Sequence, residues 1–267
     1  MIAAFPMYDL PWLRPANDRL WTLLIQILRE QGIEDVPTAL HRSGALTDAW
    51  TSPSLLLGQT CGYPLLTQLK ESVQLVATPH YAAEGCEGAY HRAAIVVRSD
   101  SPFASIDDLR GSRAGMNDAG SNTGMNMFRA TIAPIAGGRD FFRSVTITGS
   151  HARSLAAIMS DRIDVAAIDA VTLALLRDRY PNYADRLRIV EWTPPSPSLP
   201  LITSIRSSPH LIDALREALS AVVANPDHQA MLQHLRITGF SSLTLNDYQP
   251  LLALERQAAA VGYPTLN

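Results

Sequence analysis

Short apolar runs alternate with stretches of helical spacing along most of this chain, and that alternation limits the fold more than any other feature. Residues 2–7, 54–60, 75–79, 113–116, 144–148 and 163–169 are compact, mostly apolar segments that read as buried strands. Between them lie helical patterns. Residues 17–31 carry Leu20, Trp21, Leu23, Leu24, Ile27 and Leu28 on one face, with Gly32 as a stop. Residues 125–135, 152–160 and 170–180 read the same way. Residues 38–41 look like a further strand, and 89–98 like a long one. Continuous apolar strands separated by helices are the pattern of a parallel α/β sheet covered on both faces. After residues 187–192, another strand, the proline-rich segment 193–200 is extended. A strand at 201–205, an amphipathic helix at 209–224 and a final helical region at 244–260 follow. Two α/β lobes are expected: residues 1–83 with 187–267, and residues 84–186.

The composition supports a folded chain of that kind. Of 267 residues, 47% are hydrophobic and 18% charged, enough to fill a core. A net charge of −3 argues against nucleic acid, which selects a basic excess. No run approaches the ~18 apolar residues of a membrane span. The segment Met1 to Asp9 has no basic start and no long apolar stretch, so a cytoplasmic location is one expectation. Cys61 and Cys86 are too few for a zinc site and could be paired or free. No cofactor or metal is expected, and the chain reads as a monomer.

The chemistry concentrates in residues 117–126, Asn-Asp-Ala-Gly-Ser-Asn-Thr-Gly-Met-Asn, where a strand hands over to a helix. The first turn of a helix has N–H groups without internal partners, and the dipole makes that end positive. Glycines let backbone approach a ligand, and Ser121 and Thr123 add hydroxyls. Such a turn binds small oxyanions, although the same residues also serve as ordinary caps. Other candidates fall at strand ends, where open α/β sheets place ligands: Tyr8 and Asp9, Gly62 and Tyr63, Gly149-Ser150-His151, and Asp169. Asp169 suits a helix cap equally well. Ser150 and Ser154 beside His151 do not make a catalytic triad, since neighbours in sequence rarely converge and no G-x-S-x-G turn is present. His41, His80, His91, His210, His228 and His234 lack metal spacing and read as surface or packing residues.

Taken together, Gly120-Ser121-Asn122-Thr123-Gly124, Thr148-Gly149-Ser150-His151 with Ser154, and Asp164 to Asp169 resemble the phosphate/phosphite/phosphonate branch of ABC-transporter substrate-binding proteins. Tyr63 and Tyr90 match that family's cleft aromatics. The resemblance implies a bilobal periplasmic-binding-protein type II fold with a ligand cleft between the two α/β lobes, a non-enzymatic receptor, a periplasmic location and an ABC-transporter permease as partner. It implies that Ser121, Asn122, Thr123 and Gly124 grip a phosphate- or phosphonate-like anion while His151, Tyr63 and Tyr90 donate to it; Tyr8 and Asp169 join them as strand-end neighbours. The position where receptors for amine-bearing phosphonates carry an acid falls at Val171. A cytosolic sensor of a phosphorylated small molecule is the alternative reading, and an enzyme on the same fold a further one.

Overall fold

Apolar strands Ile2–Ala4 and Leu55–Gln59 pair in parallel, as their unbroken hydrophobic character requires. They begin the first of two five-stranded sheets in the computed structural model, which describes residues 1–267. The first sheet continues with Leu201–Ser204, Val73–Tyr81 and Ile237–Ser241. These last three pair antiparallel, so the sheet is mixed. Helices Arg14–Glu30 and Pro209–Ala224 pack together on it. Trp21 is buried at the centre of the first helix, and its Nε1–H donates to Pro37 O at 2.9 Å, which satisfies the indole in an apolar setting. Residues 38–41 form no regular strand, but His41 N donates to Ala3 O along the outer side of Ile2–Ala4.

The second sheet runs Leu187–Trp192, Ala93–Arg98, Val165–Asp169, Arg113–Met116, Ser144–Ile147. The last three are mutually parallel, as expected of strands joined by helical crossovers. The core beneath them gathers Ile95, Val97, Phe128, Ile132, Phe141 and Val165. Tyr263 and Leu266 from the C-terminal segment belong to the same core.

The chain therefore divides into two units. The first comprises Met1–Ala82, Glu87–Ala89 and Pro197–Asp247; the second comprises Ala83–Cys86, Tyr90–Ser196 and Tyr248–Asn267. The expected boundaries at 187 and 267 shift for two physical reasons. Leu187–Trp192 pairs antiparallel with Ala93–Arg98, which fixes it in the second sheet. Tyr263 buries its ring in the second core, and the tail carbonyl of Asn267 accepts from Phe141 N and Phe142 N. The region at 244–260 splits at Pro250 into Leu245–Tyr248 and Pro250–Ala260, because proline opens a helix better than it continues one. The long strand at 89–98 divides at Arg92 into Tyr90–His91 and Ala93–Arg98. Cys61 and Cys86 are not bonded to each other. No helix is long and apolar enough to cross a membrane.

Candidate functional site

Three neighbouring parallel strands of the second unit, Val165–Asp169, Arg113–Met116 and Ser144–Ile147, end at one edge of the sheet. A helix begins after each. Helical backbone starts at Asn122 after the middle strand, at His151 after the outer one and at Ala170 after the inner one. Each start carries the side-chain cap the sequence supplies. Ser121 Oγ accepts from Gly124 N at 3.1 Å, Ser150 Oγ from Arg153 N at 3.2 Å, and Asp169 Oδ1 from Thr172 N at 2.7 Å. Three positive helix ends thus converge on one sheet edge.

The loop at the centre is wider than expected. The helix was anticipated from Met125, but Asn122–Met127 is already helical with π geometry, its wide turn closed by Asn126 N donating to Ser121 O at 3.0 Å; α-helix Phe128–Ala136 follows. The N–H groups of Asn122, Thr123 and Met125 precede that first closing bond, and the Gly124 N–H goes to Ser121. π-Turns of this kind recur at functional sites.

The neighbouring loop is pressed against it. Parallel pairing extends past the strands, with Thr148 N donating to Met116 O at 2.8 Å and Gly149 N to Asn117 O at 2.9 Å. The Thr123 hydroxyl then meets His151 Nε2 at 3.0 Å. Contact is so close at Gly124 that a Cβ would lie 1.8 Å from Asn117 Oδ1 and 3.1 Å from His151 Cε1. A larger residue there would have to displace the Asn117 amide. Asn117 Oδ1 is buried there without a hydrogen-bond partner.

The electrostatics separate the titratable groups. Burial pushes the His151 imidazole below its ordinary value; Asp169 partly offsets this and His91 adds to it. The ring is neutral at pH 7, so one nitrogen donates and the other accepts. Burial alone would raise the Asp169 carboxyl, yet His91, His151 and the Thr172 N–H outweigh it and hold the group at about 2. His91 Nδ1 stands 3.0 Å from Asp169 Oδ2, with both residues buried.

Six of the nine candidate residues lie in this cluster: Ser121, Asn122, Thr123, Gly124, His151 and Asp169. The side chain of Asn122 turns inward, its amide donating to Ser196 Oγ at 3.1 Å. Asp169 is at once a helix cap and the neighbour of His91. Tyr90 belongs to the same unit, precedes His91 in a short strand and is 39% exposed. Tyr8 and Tyr63 belong to the first unit. Tyr8 is buried edge-on against Tyr81 at 5.3 Å, and Tyr63 is the buried second residue of helix Gly62–Thr67. Two further residues belong to the cluster: Asn117, at the start of segment 117–126, and His91, whose only sequence signal was its place within the apolar run 89–98. No three His, Cys, Asp or Glu side chains gather as a metal site requires.

Known structures share the fold. The fold matches a binding protein component of an ABC phosphonate transporter from Pseudomonas aeruginosa, with 16% identity over 97% of this chain and 87% of that one and a TM-score of 0.76. It matches PhnD1 from Prochlorococcus marinus, solved in complex with methylphosphonate, with 16% identity over 97% of each chain and a TM-score of 0.71. XAC2383 from Xanthomonas citri, solved bound to ATP, shares 18% identity over 98% of this chain and 97% of its own, with a TM-score of 0.73. No curated protein matches the chain by sequence. The architecture is therefore the type II periplasmic-binding-protein fold that the sequence reading anticipated. A family model covers residues 55–248, and the chain belongs to that family, the periplasmic substrate-binding proteins of phosphonate ABC transporters.

Proposed function

We propose that this protein binds a small phosphorus oxyanion of the phosphate, phosphite or methylphosphonate type, using the three-helix edge of its second unit, and delivers it to an ABC transporter. The single observation carrying this reading is the junction of Thr123 and His151 at the start of the π-turn. A neutral His151 that donates to Thr123 Oγ1 leaves the hydroxyl hydrogen for the ligand. The N–H groups of Asn122, Thr123 and Met125 supply further donors, and a buried anion needs several. Ser121 contributes as the cap that holds Gly124 N. Methylphosphonate, bound by the Prochlorococcus relative, is one ligand of this class.

The two serines beside His151 support binding as the reading. Ser150 Oγ caps Arg153 N, and Ser154 Oγ is 2.6 Å from Thr148 Oγ1, so neither serine pairs with His151. A nucleophile needs its base within hydrogen-bond reach.

Thermal melts with phosphate, phosphite, methylphosphonate, sulfate and ATP test the reading. A ligand at 100 times its dissociation constant adds about 2.7 kcal/mol of stability. We expect a rise in midpoint with at least one phosphorus oxyanion and its loss in Thr123→Ala with His151→Ala. No shift with any of them would refute the proposal, and preference for sulfate would reassign the ligand class.

A further inference from the structure

Arg129 lies in the first turn of the α-helix that continues the π-turn, and it is 4% exposed. Its hydrogen bonds go to neutral acceptors. Nη2–H donates to Asn126 Oδ1 at 2.6 Å and Nη1–H to Pro264 O at 2.7 Å, while Nε is buried without a partner. Two less buried arginines of this protein are treated differently. Arg42 sits on Asp9 and Asp18, and Arg113 on Asp161 and Asp164. No carboxylate stands within ion-pair distance of Arg129, so a buried positive charge has no counter-charge.

Arg129 lies well past Asn122, where the helical segment starts, so its cost comes from burial and not from the helix end. Burial removes the water that would screen it. The Arg129 charge thus acts, little screened, on the same helical segment whose start lies among the three helix ends. Arg129 is also tied to the loop through side chains. Asn126 Nδ2 donates to Leu251 O at 3.1 Å and stands 3.4 Å from Asn122 Oδ1, and Asn122 in turn donates to Ser196.

We infer that Arg129 is the counter-charge of the bound anion: a positioning residue that touches no ligand, fixes the π-turn through Asn126, and supplies long-range positive potential that only an occupied cradle neutralises. The inference rests on the anion reading of the site. It explains why a guanidinium is buried among carbonyls where an apolar side chain would pack at lower cost.

The test is isothermal titration of methylphosphonate into the full chain, with thermal melts of each ligand-free variant. The parent is titrated first; if it binds none of phosphate, phosphite or methylphosphonate, the anion reading itself fails and the inference falls with it. Given a binding parent, Arg129→Met should lose about tenfold in affinity while its ligand-free midpoint stays level or rises. Arg129→Lys, which keeps the charge, should stay within about threefold of the parent. A purely structural role predicts the reverse: Met and Lys variants that lose affinity together, with a lowered midpoint. That pattern, or an Arg129→Met protein that binds as tightly as the parent, would overturn the inference. Should Arg129→Met not fold, Asn126→Asp carries the test by placing a carboxylate on Arg129. Weaker methylphosphonate binding in that variant, folded by circular dichroism, is expected; unchanged binding would overturn the inference.

Discussion

Adding a single methyl group at Gly124 sets two physical effects against each other. The backbone of Gly124 is helical with no positive φ, so alanine is conformationally welcome and helix propensity alone would stabilise the protein by about 1 kcal/mol. Packing works the other way. The new Cβ would sit 1.8 Å from Asn117 Oδ1 and must retreat to at least 3.0 Å, with His151 Cε1 already 3.1 Å away on its other flank. Asn117 cannot yield through its backbone, since its carbonyl holds Gly149 N at 2.9 Å. Either its buried amide rotates or the π-turn shifts, and a shift breaks the 3.0 Å contact between Thr123 and His151. Overpacking costs about 1–3 kcal/mol and the lost hydrogen bond about 1 kcal/mol more. The net expectation for Gly124→Ala is a loss of about 1–3 kcal/mol, a fall in midpoint of roughly 3–10 °C for a chain of this size. Differential scanning calorimetry on the ligand-free protein reads it directly. The double variant Gly124→Ala with Asn117→Ala should recover part of the loss, because contacting residues couple in a double-mutant cycle. A Gly124→Ala protein that melts at or above the parent would refute the close-packed junction, and with it the geometry assigned to Thr123 and His151.

Other consequences are as direct. Ser121→Ala removes the acceptor of Gly124 N and should cost about 1 kcal/mol in urea unfolding, whereas Ser121→Asp, which keeps an acceptor, should cost less; equal losses would show the cap is unimportant. Asp169 is held at about 2, below its ordinary 3.8, so its contribution of about 2 kcal/mol is present above pH 4 and fades as pH falls towards 2. His151 is lowered by burial, so protonation favours the unfolded chain and stability also drops as pH falls below 6.5. Urea midpoints measured from pH 8 to pH 3 should decline throughout for the parent, and Asp169→Asn should flatten the acid end; a parent whose stability rises on acidification contradicts both assignments.

What the sequence disclosed and what it withheld follow from range. Ile2–Ala4, Leu55–Gln59 and Val165–Asp169 were legible because strands buried on both faces must be apolar along their length. The Ser121 to Gly124 loop was legible because glycine and hydroxyl residues at a strand-to-helix junction answer a local need, the unpartnered N–H groups. His91 was not, since its meaning comes from Asp169, brought alongside by the antiparallel pairing of Ala93–Arg98 with Val165–Asp169. A local pattern shows that a strand exists and not which strand it pairs with. That is why Leu187–Trp192 was expected in the wrong unit, and why the C-terminal residues were too. Tyr263 and Leu266 look like any apolar pair until Phe141 is found beneath them. The π-turn was invisible for another reason: one residue more per turn leaves no mark on the hydrophobic spacing of so short a segment.

That extra residue makes the loop a gauge of chain length. In an ordinary α-helix each residue advances the side chains by about 100°. Removing one residue between Asn122 and Met127 would let the segment tighten into α geometry with its apolar helix Phe128–Ala136 left in place. Everything upstream would then turn by about that angle relative to the core, and the Thr123 hydroxyl would swing off His151. The protein would remain foldable while its donors pointed elsewhere. A one-residue deletion is thus a register change that alters recognition without a change in composition, and length within this turn is as strict a determinant of the site as the identity of the residues that form it.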